Sequence, residues 1–307
     1  MDSLRFFLEK TPRFQKILTI LGGLLLFSKG ITLSRYLYSQ YLCRPYDLRL
    51  RYCRDVTSNS FILISTARID ALIRAFIEAF SAIGFNTLIL SDEDDDTPES
   101  LDFLNKIQEK HKILIKKLTK FEESENFDVS VFISHRSAGM KYRKFLDFSD
   151  QQLEQKVAIP LLTTMIQTKR MLRRFVARGA SKSAIISLNS FTSEVPCPYY
   201  ALNSAICAFH SLFFRSLAYE YREHVDVLSF NPMFISERGN DRGVGGGVRS
   251  ISPRNCAVEC LRMLGRENKS YGGGIHAVFQ ANRMNSMPEE RKIRYFNSYL
   301  RRFLIQK

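Results

Sequence analysis

Residues Ala184–Tyr221 read AIISLNSFTSEVPCPYYALNSAICAFHSLFFRSLAYEY, a strand, a broken loop and a helix in that order. Ala184–Leu188 is a short apolar run of strand type, and Pro196 and Pro198 interrupt any regular element after it. From Asn203 onward Ile206, Phe209, Leu212, Phe213 and Leu217 recur at spacings of three and four. That spacing predicts one apolar stripe against a core, with Arg215 and Glu220 outside it.

Working outward, the same alternation repeats. FILIS at Phe61–Ser65 reads as a buried strand, Ala71–Ile83 as a helix closed by Gly84, and Phe85–Leu90 as a second strand ended by the acidic run Asp92–Asp96. A helix near Glu99–Lys110, strands at Ile113–Leu118 and Val129–Ile133, and a long helix from about Gln151 to Arg178 lead up to the stretch quoted above. After it come a strand at Val225–Phe230, a helix near Asn255–Met263 and a last strand at Ile275–Phe279. Strands alternating with helices predict an α/β fold, a doubly wound, Rossmann-like parallel sheet of about seven strands.

The chain has 307 residues, is 45% hydrophobic and carries a formal charge of +14. This is ordinary for a globular core and excludes disorder. No nucleic-acid-binding motif accompanies the charge, so nucleic acid is not an expected partner; an anionic membrane surface is. The six cysteines have neither disulfide-framework nor zinc spacing, which predicts reduced core thiols and no metal site.

ILTILGGLLLF at Ile17–Phe27 is apolar but shorter than the roughly 20 residues that span a bilayer. With Lys29 snorkelling, Ile17–Ser34 is expected to cross a thin membrane or lie as a re-entrant anchor, the other reading being a helix that covers the domain. Arg44, Arg49, Arg51 and Arg54 make a basic stretch compatible with the cytoplasmic side. The expected division is an anchor and basic segment over 1–55, a catalytic-type domain over 56–285, and a basic amphipathic helix over 286–307 that lies on the membrane or packs on the domain.

In a sheet of this kind a dinucleotide binds where the first strand meets the first helix, on a glycine-rich turn. Here the turn is Ser65-Thr66-Ala67-Arg68-Ile69-Asp70-Ala71-Leu72-Ile73, without a glycine. Added Cβ atoms narrow the approach of backbone N–H groups to a phosphate. Arg68 reads as a solvated loop arginine able to attract an anion.

With these residues in place the chain resembles the short-chain dehydrogenase/reductases. Within them it is most similar to the membrane-anchored group of very-long-chain 3-oxoacyl-CoA reductases, 17β-hydroxysteroid dehydrogenase type 12 and the hydroxysteroid dehydrogenase-like proteins, from about Phe61 to Phe279. The best local match is Asn203–Tyr221, where the family reads Y-S-A-x-K and a helix ending in E-Y. On that pattern Ser204 and Ala205 match, Asn203 stands at the catalytic tyrosine and Cys207 at the catalytic lysine. Ser190 falls at the catalytic serine, Pro232 at the proline after the next strand, and Ile159 at the asparagine of the proton relay. The family's T-G-x-x-x-G-x-G falls on Thr66–Ile73, with Ala67, Ala71 and Ile73 at the glycines, and its N-N-x-G on Ser134–Ser137.

The resemblance implies a mechanism in which the tyrosine protonates a carbonyl oxygen as a nicotinamide delivers hydride, with the lysine lowering the tyrosine's pKa. A carboxamide cannot be that acid, and a cysteine supplies no fixed cation at neutral pH. Neither Tyr199 nor Tyr200 recreates a Y-x-x-x-K pair. Cys207 with His210 three residues on reads as a nucleophile and base or as core packing.

The expected protein is therefore a catalytically inactive member of this group, with no cofactor and NADP as the alternative. It would act by binding at a membrane, to a lipid or acyl-CoA-like ligand or in a homo- or heterodimer with a related reductase. The competing expectation is an NADP-dependent reductase of long-chain 3-oxoacyl-CoA or steroid ketones. The resemblance implies the cytoplasmic side of the endoplasmic reticulum, with the mitochondrion as the alternative. Gly239, Gly243, Gly245, Gly246 and Gly247 read as a flexible substrate loop rather than a phosphate cradle.

Overall fold

A computed structural model describes residues 12–38, 42, 44–55, 59–91, 97–135, 142–179, 181–233, 235, 251–272 and 274–305. The chain divides into two units, Met1–Arg44 and Pro45–Lys307. The first contains α1 (Pro12–Leu37), whose Ile17, Leu21, Leu24, Leu25 and Phe27 are exposed. Among the described residues no helix is long and apolar enough to cross a membrane, so the expected anchor is not supported.

The second unit begins with a short α2 (Leu48–Tyr52), capped by the Asp47 carboxylate, which accepts from the backbone N–H of Arg49 and Leu50. Then β1 (Phe61–Thr66), α3 (Ala71–Ala82), β2 (Asn86–Ser91), α4 (Pro98–His111), β3 (Ile115–Leu118) and β4 (Val129–His135) follow. α5 (Asp150–Leu153) runs through a π-turn at Glu154–Ala158 into α6 (Ile159–Ala177), and β5 (Ser183–Leu188) leads by a 3₁₀ turn at Phe191–Glu194 to α7 (Ala201–Glu220). β6 (Val225–Phe230), α8 (Pro253–Met263), β7 (Lys269–Ser270), α9 (Gly274–Asn285) and α10 (Glu289–Ile305) complete the chain.

The seven strands form one sheet in the order β3-β2-β1-β4-β5-β6-β7, every pairing parallel. A parallel sheet is covered on both faces, which is why its strands read as continuous apolar runs. Alternation along β1 sends Ile62 and Ile64 into one core with Phe76, Phe80 and Phe230. It sends Phe61 and Leu63 into the other with Phe132, Phe175 and Phe214. After β3 the chain returns across the sheet to place β4 beside β1, and at such a reversal a crevice opens beyond the carboxyl ends of the strands.

Two expectations fail here. The last strand at Ile275–Phe279 is the start of α9, and the seventh strand is Lys269–Ser270. Gly272, at φ +64°, turns the chain between them where a Cβ would meet the Phe230 ring at 2.8 Å. Beyond it the buried Ala277, Ala281 and Met284 keep helical spacing, which a five-residue apolar window hides. On α7, Leu212 is 66% exposed; the buried side runs through Asn203, Ile206, Cys207, His210, Phe214 and Leu217. Of the two placements open for the C-terminal helix, α10 packs on the domain, with Phe296 and Leu300 buried against Phe191 and Met284.

Candidate functional site

A crevice of about 290 Å³ opens at the switch point. The turn after β1 brings Arg68 and Asp70 to it, the end of β4 brings His135, the segment after β5 brings Asn189 and Ser190, and α7 brings Cys207 and His210. Ser190 leads the 3₁₀ turn, its Oγ accepting from Thr192 N–H at 3.3 Å. Asn203 is 3% exposed and outside the crevice lining, and its Nδ2 donates to Cys207 Sγ at 3.8 Å. Burial pushes the Cys207 thiol up to about 11, against the opposing bonds from the Thr192 side chain and Ser190 backbone. A thiol pushed up in this way stays protonated at neutral pH, which favours the packing reading of Cys207 over the nucleophile reading although the residue borders the crevice.

A polar network that the sequence did not announce lies beneath. Asn189 Nδ2 donates to Asn231 Oδ1 at 3.2 Å and to Ser229 Oγ at 3.3 Å. Asn231 Nδ2 reaches Ser211 Oγ at 2.9 Å and Glu194 Oε1 at 3.3 Å, and Glu194 pairs with Lys269 at 2.6 Å. It ties β5, β6, β7 and α7 together below the crevice. The only hint in the sequence was polar residues interrupting apolar runs, which signals nothing about partners.

Ile159 is exposed at the start of α6, directly after the π-turn. Tyr199 is exposed at φ +62° and stacks on Tyr142 at 5.2 Å; Tyr200 is partly buried, its hydroxyl pushed up by burial and the neighbouring thiols. Arg136, Ser137 and the glycine-rich loop lie outside the described residues.

The seven-stranded parallel sheet with its flanking helices is similar in fold to solved dehydrogenases. A 7beta-hydroxysteroid dehydrogenase superposes with a TM-score of 0.67 at 20% identity, covering 81% of this chain and 99% of that one. The chain has the short-chain dehydrogenase/reductase fold. A short-chain dehydrogenase/reductase from Brucella melitensis gives a TM-score of 0.51 at 19% identity, covering 66% of this chain and 88% of that one. An NADH-dependent reductase solved with NAD gives 0.54 at 18% identity over 66% of this chain and 88% of its own. Among curated proteins the human very-long-chain 3-oxoacyl-CoA reductase is 23% identical over 230 residues, 70% of this chain and 72% of that protein. No protein-family profile matches the chain.

These comparisons overturn the expectation of no cofactor. The similar proteins are dehydrogenases and reductases, one of them holding NAD, and they point to a nicotinamide cofactor rather than none. The turn at Thr66, Ala67, Ala71 and Ile73 nevertheless does not fit a pyrophosphate in the short-chain dehydrogenase/reductase manner. Asp70 caps α3, its carboxylate accepting from Ile73 N–H at 2.9 Å, so a negative charge already sits on the helix N-terminus where a phosphate would go. Thr66 Oγ1 is held by Arg68 O at 2.7 Å and His135 Nδ1 at 3.1 Å. Arg68 is the cation on the crevice wall beside them.

Proposed function

We propose that this chain is a dehydrogenase/reductase-type protein that acts by binding in its crevice, having exchanged the family's proton relay for a buried, neutral pair. The buried Asn203 carboxamide bonded to the protonated Cys207 thiol carries this reading: at the two positions that would supply an acid and its cation there is neither. General acid assistance is worth about 10² to 10⁴ in rate, and the pair offers none of it.

Incubating the purified chain with NADPH or NADH and a panel of long-chain 3-oxoacyl-CoA esters and steroid ketones tests it. The expected result is no ketone-dependent oxidation of the reduced nucleotide above the uncatalysed rate. Turnover that disappears in Asn203→Ala would sink the proposal. It would favour the second reading, a long-chain 3-oxoacyl-CoA reductase, which similarity to the human enzyme supports.

The nicotinamide nucleotide is measured separately, by fluorescence titration. Removing the charge on the α3 N-terminus while keeping a cap, in Asp70→Ser, is expected to tighten NADPH binding about three- to tenfold, the size of one charge–dipole term. Unchanged affinity would show that the phosphates sit elsewhere.

Two partner readings belong to the same proposal. The exposed apolar side chains of α1 and the net charge of +14 favour association with an anionic membrane surface, in this proposal the cytoplasmic side of the endoplasmic reticulum. Met165, Leu172, Phe213 and Leu217 line an apolar groove between α6 and α7 that suits a second copy or a related reductase. Met165→Glu in that groove is expected to turn a dimer into a monomer in sedimentation velocity.

A further inference from the structure

A larger cavity, of about 690 Å³, lies between α3 and α8, further along the two helices whose first residues border the crevice and with no lining residue in common with it. On α3 the residues lining it are Ala75, Ala79 and Ala82, and on α8 Arg254, Val258 and Leu261. Each set has the spacing i, i+4, i+7, so each is a single helix face, and the two confront one another. The alanines leave a trough, Val258 is exposed along its wall, and Leu48 and Ile83 add apolar lining. The volume falls within the range of pockets that enclose small molecules, roughly 300 to 1,000 Å³.

The charges around this trough are unequal. Lys110, Arg254 and Arg262 line it with Asp47 and Glu78, and Arg262 is already paired with Glu259 at 3.4 Å. Asp47 is occupied in capping α2, and Glu78 meets Lys110 only at 3.7 Å. His111 Nε2 is buried there with no hydrogen-bond partner among the described residues. An apolar trough lined by three cations, of which Lys110 has only a long ion pair, two carboxylates and an imidazole nitrogen with no partner among the described residues is complementary to a hydrocarbon chain ending in an anion.

We propose that this groove binds a long-chain fatty-acid anion. Its methylenes lie along the alanine stripe of α3 and its carboxylate meets Lys110 and His111. The site is separate from the crevice and does not depend on what the crevice binds.

Displacement of 12-(9-anthroyloxy)stearic acid by palmitate from the full chain tests this. The expected result is saturable binding of one equivalent, tightening about fourfold per methylene from C12 to C16. Ala79→Phe, which fills the trough, is expected to weaken binding at least tenfold without moving the thermal midpoint of the ligand-free protein. Lys110→Glu should weaken it at least threefold, and Met233→Trp, which obstructs the crevice, should leave it unchanged. Should Ala79→Phe fail to fold, Val258→Trp on the exposed wall gives the same readout. No saturable binding, binding indifferent to both trough variants, or binding lost only in Met233→Trp would overturn the proposal. So would conversion of a dimer to a monomer by Ala79→Phe, since the groove would then belong to a second copy.

Discussion

Asp226→Asn is expected to lower the free energy of unfolding by about 3 kcal/mol at neutral pH, the low end for breaking a buried charge cluster. Asp226 starts on β6 with its side chain 10% exposed, and its carboxylate accepts from Arg51 Nε at 2.6 Å, Tyr52 OH at 3.0 Å and Lys182 Nζ at 3.1 Å. The amide is nearly isosteric, but it removes the charge and turns one acceptor oxygen into an NH2 donor facing the donors of Arg51 and Tyr52 or of Lys182. Arg51 and Lys182 are partly exposed and regain some water, which keeps the loss from being larger.

The sign of the pH dependence follows. Burial pushes the Asp226 carboxyl up, but its bonds with Arg51 and Lys182 overcome this and hold it below the usual value. The folded state therefore binds fewer protons than the unfolded chain in the acid range. The stabilisation is complete above the unfolded carboxyl pKa, about 3.9, and is lost as pH falls through the lower folded value. Urea unfolding of wild type and Asp226→Asn should show a gap that is constant from pH 7 to about pH 5 and closes towards pH 2. A gap that widens in acid would refute the assignment.

Arg178→Met is expected to cost about as much, roughly 3 kcal/mol, for a different reason. The Arg178 side chain is 4% exposed and grips both Asp128 oxygens, at 3.2 and 2.9 Å, together with Tyr52 O at 3.0 Å and Ser183 Oγ at 3.1 Å. Methionine keeps the packed stem and strands those acceptors. Tyr52 is shared with the Asp226 cluster, so the double variant should lose less than the sum of the single ones, by about 0.5 kcal/mol or more. Strict additivity in the urea midpoints would mean that α2 does not couple the two ends.

Much of the fold was legible because a doubly covered sheet writes itself locally. FILIS, AIISL and VDVLSF are apolar runs of strand length, and Gly84 and the prolines at 196 and 198 mark where elements stop. The stretch after Asn268 was misread because a two-residue strand is too short to show a period, while the helix behind it begins with β-branched and aromatic residues. The register at Ser190, Asn203 and Cys207 rests on the resemblance to the dehydrogenase/reductase pattern, laid along one helix and one loop. That Asn203 is buried away from the crevice does not follow from it, since burial depends on what packs against α7. His135, Asn231 and the Glu194–Lys269 pair were invisible because their partners come from other strands. Arg51 was read with Arg49 and Arg54 as a basic surface stretch, yet its partner is 175 residues away and no local pattern encodes it.

That separation also sets an order of events during synthesis. At about 5 to 20 residues per second, the carboxylate that captures Arg51 is made roughly 10 to 35 seconds after the arginine itself. Throughout that interval Arg51 lacks its Asp226 partner and the segment around α2 keeps its basic character, although Arg54 can meet Asp128 once β4 has emerged. The segment is then an available target for an anionic surface or a chaperone. A nascent chain stalled before residue 226 should accordingly be cut by a protease at Arg49–Arg54, and one released past β6 should resist.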